Sequence, residues 1–273
     1  MGFQINTNTA ANTAYRNLSS TQGDMSKSLE KLSSGLRINR AADDAAGLAI
    51  SEGLRSQIGG LGVAARNAQD GISVVQTAEG ALTEVHSILQ RVRDLAVQAG
   101  NDSNNAEART AIDTEVEALG AELTRIGAST NFNGTELLTG DALTFQIGAG
   151  GVPAKDQITV AGTDISGLGA TVQALTFTDA TSAAASIVAL DTEIQGVSTQ
   201  RAALGAVQNR FESAINSINV SQENLSAAKS RITDTDMAKE MADFTRSNIL
   251  SQAGTAMLAQ ANQMNQGVLQ LLR

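Results

Sequence analysis

The sequence contains no cysteine and no tryptophan, and it has a single proline, a single tyrosine and a single histidine. Without cysteine the chain can form neither a disulfide nor a thiolate-ligated metal site. His86 alone cannot supply the two histidines of an HExxH zinc motif. We therefore expect no catalytic site, no metal site and no cofactor. Because Pro153 is the only proline, helices can run far without interruption.

Positive charge and long apolar runs are also scarce. The formal net charge is −9, and no basic patch with interleaved aromatics occurs, which argues against nucleic-acid binding. No stretch reaches the length of apolar residues that a transmembrane helix needs. The first residues lack the basic start and apolar centre of a secretory signal. We expect no membrane and no nucleic acid among the partners.

Apolar residues are present at 42% of positions, and they recur at a helical period. Spacings of three and four residues mark an apolar stripe along one helix face, at the period of a coiled coil. The most regular segment extends over about 45 residues, or roughly 65–70 Å of helix. Four segments carry this pattern, at 18–36, 61–99, 187–232 and 237–271.

The centre of the chain has a different pattern. A shorter helix is predicted at about 106–128, after a run of Asn, Asp and Ser that suits a helix cap. Residues 143–147 and 157–160 alternate apolar and polar side chains around a glycine-rich turn, which predicts a β-hairpin. Residues 172–178 are a candidate third strand. Helix-rich arms on both sides of one β region favour antiparallel packing of the arms.

Both ends of the sequence lack charge. Residues 247–272 contain no Asp, Glu, Lys or Arg, and residues 1–15 are also uncharged. One interpretation is disordered tails. The other is a helix pair surrounded by further protein chains, where amides find partners and charges are costly. The two can also hold in sequence, with disorder in the monomer and folding on assembly.

Eight sequence blocks resemble those of bacterial flagellins and occur in the order of that family. The resemblance extends over about residues 1–140 and 185–273. The blocks are SSGLRIN at 33–39, DDAAGLAI at 43–50, NAQDG at 67–71, QTAEGAL at 76–82, LQRVRDLAVQ at 89–98, FNG at 132–134, RITDTDMA at 231–238 and ILSQA at 249–253.

The resemblance implies a mainly α fold. It is a long antiparallel helical coiled-coil rod with a small central β-hairpin region and with its N- and C-termini paired. Residues 1–44 would form the N-terminal part of an inner coiled-coil domain and its connecting spoke. Residues 45–235 would form a rod-like outer domain with its β region at about 130–180, and residues 236–273 would complete the inner domain.

The implied function is that of a structural subunit that self-polymerises into the flagellar filament for motility. A secondary role as a ligand of innate-immune flagellin receptors follows from the same resemblance. The implied location is extracellular, in the bacterial flagellum, reached through the flagellar secretion channel without a signal peptide. The implied partners are further copies of the chain, an export chaperone, a cap protein, hook-associated proteins and a toll-like receptor of hosts.

Three sets of site residues follow from the resemblance. A set that would fix the joint between inner and outer helices and hold neighbouring subunits is Arg37, Asn39, Asp43 and Asp44, with a solvated polar turn as the alternative. A set for immune-receptor and inter-subunit contacts is Leu89, Gln90, Arg91 and Glu115, with a solvated helix face as the alternative. A set that packs the terminal coiled coil is Leu18, Met25, Leu29, Leu32, Met257, Met264, Val268 and Leu271.

Two other functions remain open from the sequence. A hook–filament junction protein would have similar termini without forming long filaments. A cytosolic coiled-coil adaptor would have stable helical ends in the monomer and would leave the uncharged ends unexplained. The stripe of Met237, Met241, Met257 and Met264 could line an adaptable binding groove, although packing of the terminal coiled coil is the interpretation we favour.

Overall fold

The structure, a computed structural model, describes the backbone of residues 8–271 and the side chains of residues 8–263. Long helices dominate, and the predicted mainly α class is confirmed. The helices are α1 (Thr9–Ser34), α2 (Ala45–Ala99), α3 (Ala106–Ser129), α4 (Pro153–Asp156), α5 (Leu168–Gln173), α6 (Ala180–Thr233) and α7 (Met237–Leu271). The strands are β1 (Asn131–Phe132), β2 (Thr135–Glu136), β3 (Leu143–Gln146) and β4 (Gln157–Val160).

The chain divides into two compact units. The terminal unit combines the residues up to Ser56 with those from Asn224 onward, and the central unit is Gln57–Glu223. This division reflects the contacts within a single chain. The predicted boundaries after residues 44 and 235 refer to the domains of a filament subunit, and they stay a prediction.

In the terminal unit α1 packs against α7, so the predicted pairing of the two ends is confirmed. The Asn8 carboxamide caps α1 by accepting a hydrogen bond from the Ala11 backbone N–H at 2.9 Å. The same side chain donates to the carbonyl of Ala261 on α7 at 3.1 Å. Helix α1 ends at Gly35, whose φ of 74° lies in the left-handed region that suits a glycine C-cap.

The core of the central unit follows heptads on two helices. Such seven-residue spacing keeps one face of each helix toward its partner. On α2 the buried side chains include Ala68, Val75, Leu82, Leu89 and Ala96. On α6 they include Leu190, Val197, Leu204 and Phe211. Helix α3 adds Val116 and Leu123 to the same core.

Two small antiparallel hairpins belong to the central unit. Strands β3 and β4 pair with Phe145 opposite Ile158, as the alternation predicts. Strands β1 and β2 are joined by Asn133 and Gly134, both with positive φ. That combination is typical of a type I′ turn, for which Asn-Gly is the preferred dipeptide.

The predicted third strand at 172–178 is wrong. Residues Leu168–Gln173 form the short helix α5, which packs against α3. A Cβ added at Gly120 of α3 would lie 2.7 Å from Cγ of Gln173 and 3.0 Å from the carbonyl oxygen of Gly169. Glycines at the contact let the two helices approach closely.

No helix among the described residues is both long enough and apolar enough to span a membrane. In residues 8–263 no three side chains of the types His, Cys, Asp and Glu come together in a group that could hold a metal ion.

Candidate functional site

Backbone hydrogen bonds tie together the two segments that flank the terminal helices. Residues 35–44, between α1 and α2, and residues 234–236, between α6 and α7, are called the joint here. Leu36 and Asp234 form an antiparallel bridge. The Arg37 N–H donates to the Thr233 carbonyl at 2.6 Å, and the Thr235 N–H donates to the Gly35 carbonyl at 3.0 Å. Backbone hydrogen bonds therefore hold the two segments of the joint in a defined arrangement.

Two of the predicted joint residues reinforce it with their side chains. The Arg37 guanidinium donates to the carbonyl of Ile232 through Nε at 3.2 Å and Nη2 at 2.7 Å. The Asn39 carboxamide donates to Oγ of Ser34 at 2.8 Å. A further ion pair, which the sequence pattern does not indicate, joins Arg40 Nε to Glu30 Oε1 at 2.9 Å.

The two aspartates of the joint accept backbone hydrogen bonds. Oδ2 of Asp43 accepts from the N–H of Arg40 at 2.9 Å and from that of Asn39 at 3.1 Å. Oδ1 of Asp44 accepts from the N–H of Gly47 at 2.8 Å, in the first turn of α2. Carboxylates at this position satisfy free N–H groups of a helix start. All four predicted joint residues thus act within one chain, and their role between subunits stays a prediction.

Acid is expected to weaken the joint through Asp43. The N–H of Arg40, and secondly that of Asn39, lower the pKa of the Asp43 carboxyl below its ordinary value of 3.8. A lowered pKa stabilises the folded state above the unfolded pKa, and this contribution is lost as the pH falls through the folded pKa. In thermal unfolding at about pH 7 and about pH 3, the unmodified protein should therefore lose more stability than Asp43→Asn. Equal acid losses would contradict this role.

The predicted receptor patch is only partly at the surface. Arg91 and Glu115 form an ion pair at 2.8 Å that joins α2 to α3, and both side chains are exposed. Gln90 is exposed beside them, and its Nε2 lies 3.0 Å from Nε2 of His86. Leu89, in contrast, is fully buried in the core. Of the predicted patch, only Gln90, Arg91 and Glu115 therefore lie at the surface, and their contact with another molecule stays a prediction.

The ion pair between Arg91 and Glu115 is expected to contribute little to the stability of the central unit. The two side chains are 59% and 44% exposed, and exposed pairs contribute about 0.2–1 kcal/mol. A double-mutant cycle with Arg91→Ala and Glu115→Ala in urea unfolding should give a coupling energy in that range. A coupling energy above roughly 2 kcal/mol would contradict the screening argument.

The predicted packing residues of the terminal helices fall into three groups. Leu18, Met25 and Leu32 are half-buried. Leu29 and Met257 are 52% and 66% exposed, so pairing of α1 with α7 leaves them largely uncovered. The predictions for Met264, Val268 and Leu271 lie outside the residues whose side chains the structure describes.

Grooves with apolar side chains follow the terminal helices. One, of about 650 Å³, lies between α1 and α7 and is lined in part by Leu18, Leu250, Ala253 and Met257. A second, of about 520 Å³, lies on α7 and is lined by Met241, Ala242, Thr245, Arg246, Ile249 and Leu250. Ile249, which is not among the residues predicted from the sequence, is 61% exposed. Large exposed apolar areas mark surfaces that bind other proteins.

Comparison with known proteins connects this architecture to one family. A family model of the bacterial flagellin N-terminal helical region matches residues 5–142, and one of the C-terminal helical region matches residues 187–272. A flagellin of Halalkalibacterium halodurans is 52% identical over 271 residues, covering 98% of this chain and 99% of that protein. A flagellin of Bacillus subtilis is 50% identical over 310 residues, covering 99% and 100%.

Two solved structures have a fold similar to that of this chain. The crystal structure of Bacillus cereus flagellin is 34% identical with a TM-score of 0.50, covering 60% of this chain and 94% of that one. The structure of a putative flagellar hook-associated protein from Vibrio parahaemolyticus has a TM-score of 0.58 at 14% identity, covering 70% and 100%. At that identity the likeness concerns the fold alone.

Proposed function

This chain belongs to the bacterial flagellin family, and from that premise we propose that it is a structural subunit that polymerises with its own copies into the flagellar filament. The observation that supports the proposal most directly is the surface of α7. Ile249, Leu250 and Met257 are 61%, 52% and 66% exposed within a segment that carries no charged side chain. Such a surface is unfavourable in water and favourable against another protein.

An enzymatic function is excluded, and the hook–filament junction protein loses support. Flagellins form a structural family, so the chain is not an enzyme. The hook–filament junction protein is not favoured, because full-length relatives near 50% identity are flagellins, whereas the hook-associated relative shares the fold at 14% identity.

The remaining parts of the proposal concern delivery and partners. The filament lies outside the cell, and we extend the proposal to export through the flagellar secretion channel. The same extension includes an export chaperone, a cap protein and hook-associated proteins. Family membership supports these partners. The exposed apolar side chains of α7 form the surface that a chaperone would have to cover before assembly.

Seeded polymerisation tests the proposal. Purified protein, mixed with short sonicated filament seeds or a precipitating salt, should grow into long filaments in electron micrographs. Helix content should rise in circular dichroism if residues 1–40 and 235–273 fold as they assemble. Short or absent polymers, with helical ends already present in the monomer, would point to the junction protein or to the adaptor.

A second proposed role is recognition by an innate-immune receptor of a host. Support comes from the exposed group of Gln90, Arg91 and Glu115, in which an ion pair holds Arg91 in a defined position on α2. Arginine at a surface that forms an interface is often among the residues that dominate binding.

A reporter cell line that expresses a flagellin-responsive toll-like receptor tests this role. Arg91→Ala should lower the response of the monomer by about tenfold or more. Arg125→Ala is the matched control, because Arg125 is a 64% exposed arginine on α3 that is also paired with a glutamate. Equal responses of the two variants would remove the patch from the proposal and leave the filament function untouched.

A further inference from the structure

The methionines of this chain are confined to its ends. All six lie at positions 1, 25, 237, 241, 257 and 264, so none falls within the central unit, Gln57–Glu223. Methionine is flexible and polarisable, and proteins use it both in cores and at adaptable binding surfaces. Because methionine is confined to the terminal unit, only that unit has thioether sulfurs that an oxidant can convert to sulfoxides.

Three of these methionines are open to solvent on one helix. Met237, Met241 and Met257, all on α7, are 48%, 50% and 66% exposed. Met25 on α1 is half-buried and belongs to the intermediate class of exposure. Small oxidants dissolved in the surrounding water can therefore reach the side chains of Met237, Met241 and Met257.

Two of the exposed methionines border the surfaces on which assembly is proposed to depend. Met241 lines the groove on α7 together with Ile249 and Leu250. Met257 lines the groove between α1 and α7, beside Leu18 and Leu250. Each groove is mainly apolar, so a strongly polar group introduced at its edge would have to lose water when a second copy covers it.

We propose that Met237, Met241 and Met257 form an oxidation-sensitive site that controls whether the subunit can polymerise. The inference rests on the proposed filament function and adds a regulation to the same surface. The oxidant is a peroxide. The thioether sulfur attacks one peroxide oxygen, the O–O bond breaks, an S=O bond forms, and hydrogen peroxide is reduced to water. The sulfur is oxidised by two electrons to the sulfoxide.

Oxidation acts before assembly and is blocked by it. In the free subunit the three sulfur atoms are exposed, and the sulfoxide changes an apolar side chain into a polar one that disrupts methionine-rich interfaces. In a polymer that covers α7, the peroxide no longer reaches them. The sulfoxide is reversible, because dedicated reductases act on each of its two epimers.

The test treats monomer and filament with the same hydrogen peroxide and locates sulfoxides by peptide mass spectrometry. In the monomer, residues 237, 241 and 257 should be oxidised faster than Met25. In the filament the same three should be protected. Oxidised monomer should need a concentration at least about tenfold higher to extend seeds, equivalent to about 1.4 kcal/mol per subunit added. Treatment with both classes of methionine sulfoxide reductase should restore growth.

Substitution separates oxidation at these sulfurs from other damage. The triple variant Met237→Leu, Met241→Leu, Met257→Leu keeps apolar side chains of similar volume. Its own growth on seeds before peroxide treatment is the reference, and peroxide treatment should leave that growth unchanged. Met25→Leu is the control variant and should remain as sensitive as the unmodified protein.

The outcomes distinguish this inference from the filament function. Growth of the unmodified protein with no loss after oxidation at the three sites overturns the inference alone. An equal loss in the treated triple variant also overturns it. Protein that has been incubated with the reductases and never exposed to peroxide should grow on seeds. Its failure to grow would overturn the filament function, and the inference with it.

Discussion

Phe211→Ala is expected to destabilise the central unit by about 3–5 kcal/mol. The Phe211 side chain is fully buried, and its ring meets that of Phe145 edge to face at a centroid distance of 5.5 Å. It also fills the space above Gly71, where an added Cβ would lie 2.7 Å from its Cζ. Removal of the ring leaves a cavity bounded by α2, α6 and β3, and it also removes the aromatic pair. Urea unfolding followed by circular dichroism measures the loss.

The matched control for this variant is Val188→Ala. Val188 lies on the same helix as Phe211 and is 68% exposed, so its truncation should change the free energy of unfolding by no more than about 0.5 kcal/mol. A loss below about 1 kcal/mol for Phe211→Ala would mean that the ring is not the packing centre that its burial indicates.

Ile249→Glu is expected to raise the monomer concentration required for filament growth by roughly a hundredfold or more, because covering a new carboxylate costs several kcal/mol and the nearby Arg246 is already paired with Asp243. Ile249 is 61% exposed and borders the groove on α7. The free subunit should tolerate the change, since the new carboxylate remains in water. Seeded growth measured by light scattering over a range of concentrations gives the effect.

The matched control for the charge is Val220→Glu. Val220 is 58% exposed on α6 and belongs to the central unit, so the substitution adds the same charge outside the terminal unit. If both variants slow growth equally, the net charge is responsible and α7 has no special part. Normal growth of Ile249→Glu would remove α7 from the proposed interface.

Most of the helical architecture could be predicted because heptad spacing records which face of a helix is buried. Leu190, Val197 and Leu204 are apolar in the sequence and buried in the structure. The same spacing would have corrected the predicted placement of one site residue. Leu89 stands seven residues after Leu82 and seven before Ala96, so the heptad pattern assigns it to the core even though the resemblance grouped it with exposed neighbours.

Other features depend on contacts that local pattern does not record. Residues 172–178 are rich in side chains that favour strands, yet Val172 is buried in a helix that packs against α3 through Gly120 and Gly169. The partner of Arg37 is a backbone carbonyl, that of Ile232. Every residue has such a carbonyl, so the sequence cannot indicate which one is used.

Hydrogen exchange in assembled filaments, compared with the free subunit, tests most directly whether the paired terminal helices build the polymer. Amide protection should rise mainly in Thr9–Ser34 and Met237–Leu271, since a surface covered by neighbouring subunits opens less often to solvent. The central unit, Gln57–Glu223, should change less. Protection gained only in the central unit, with unchanged exchange in both terminal helices, would contradict the account.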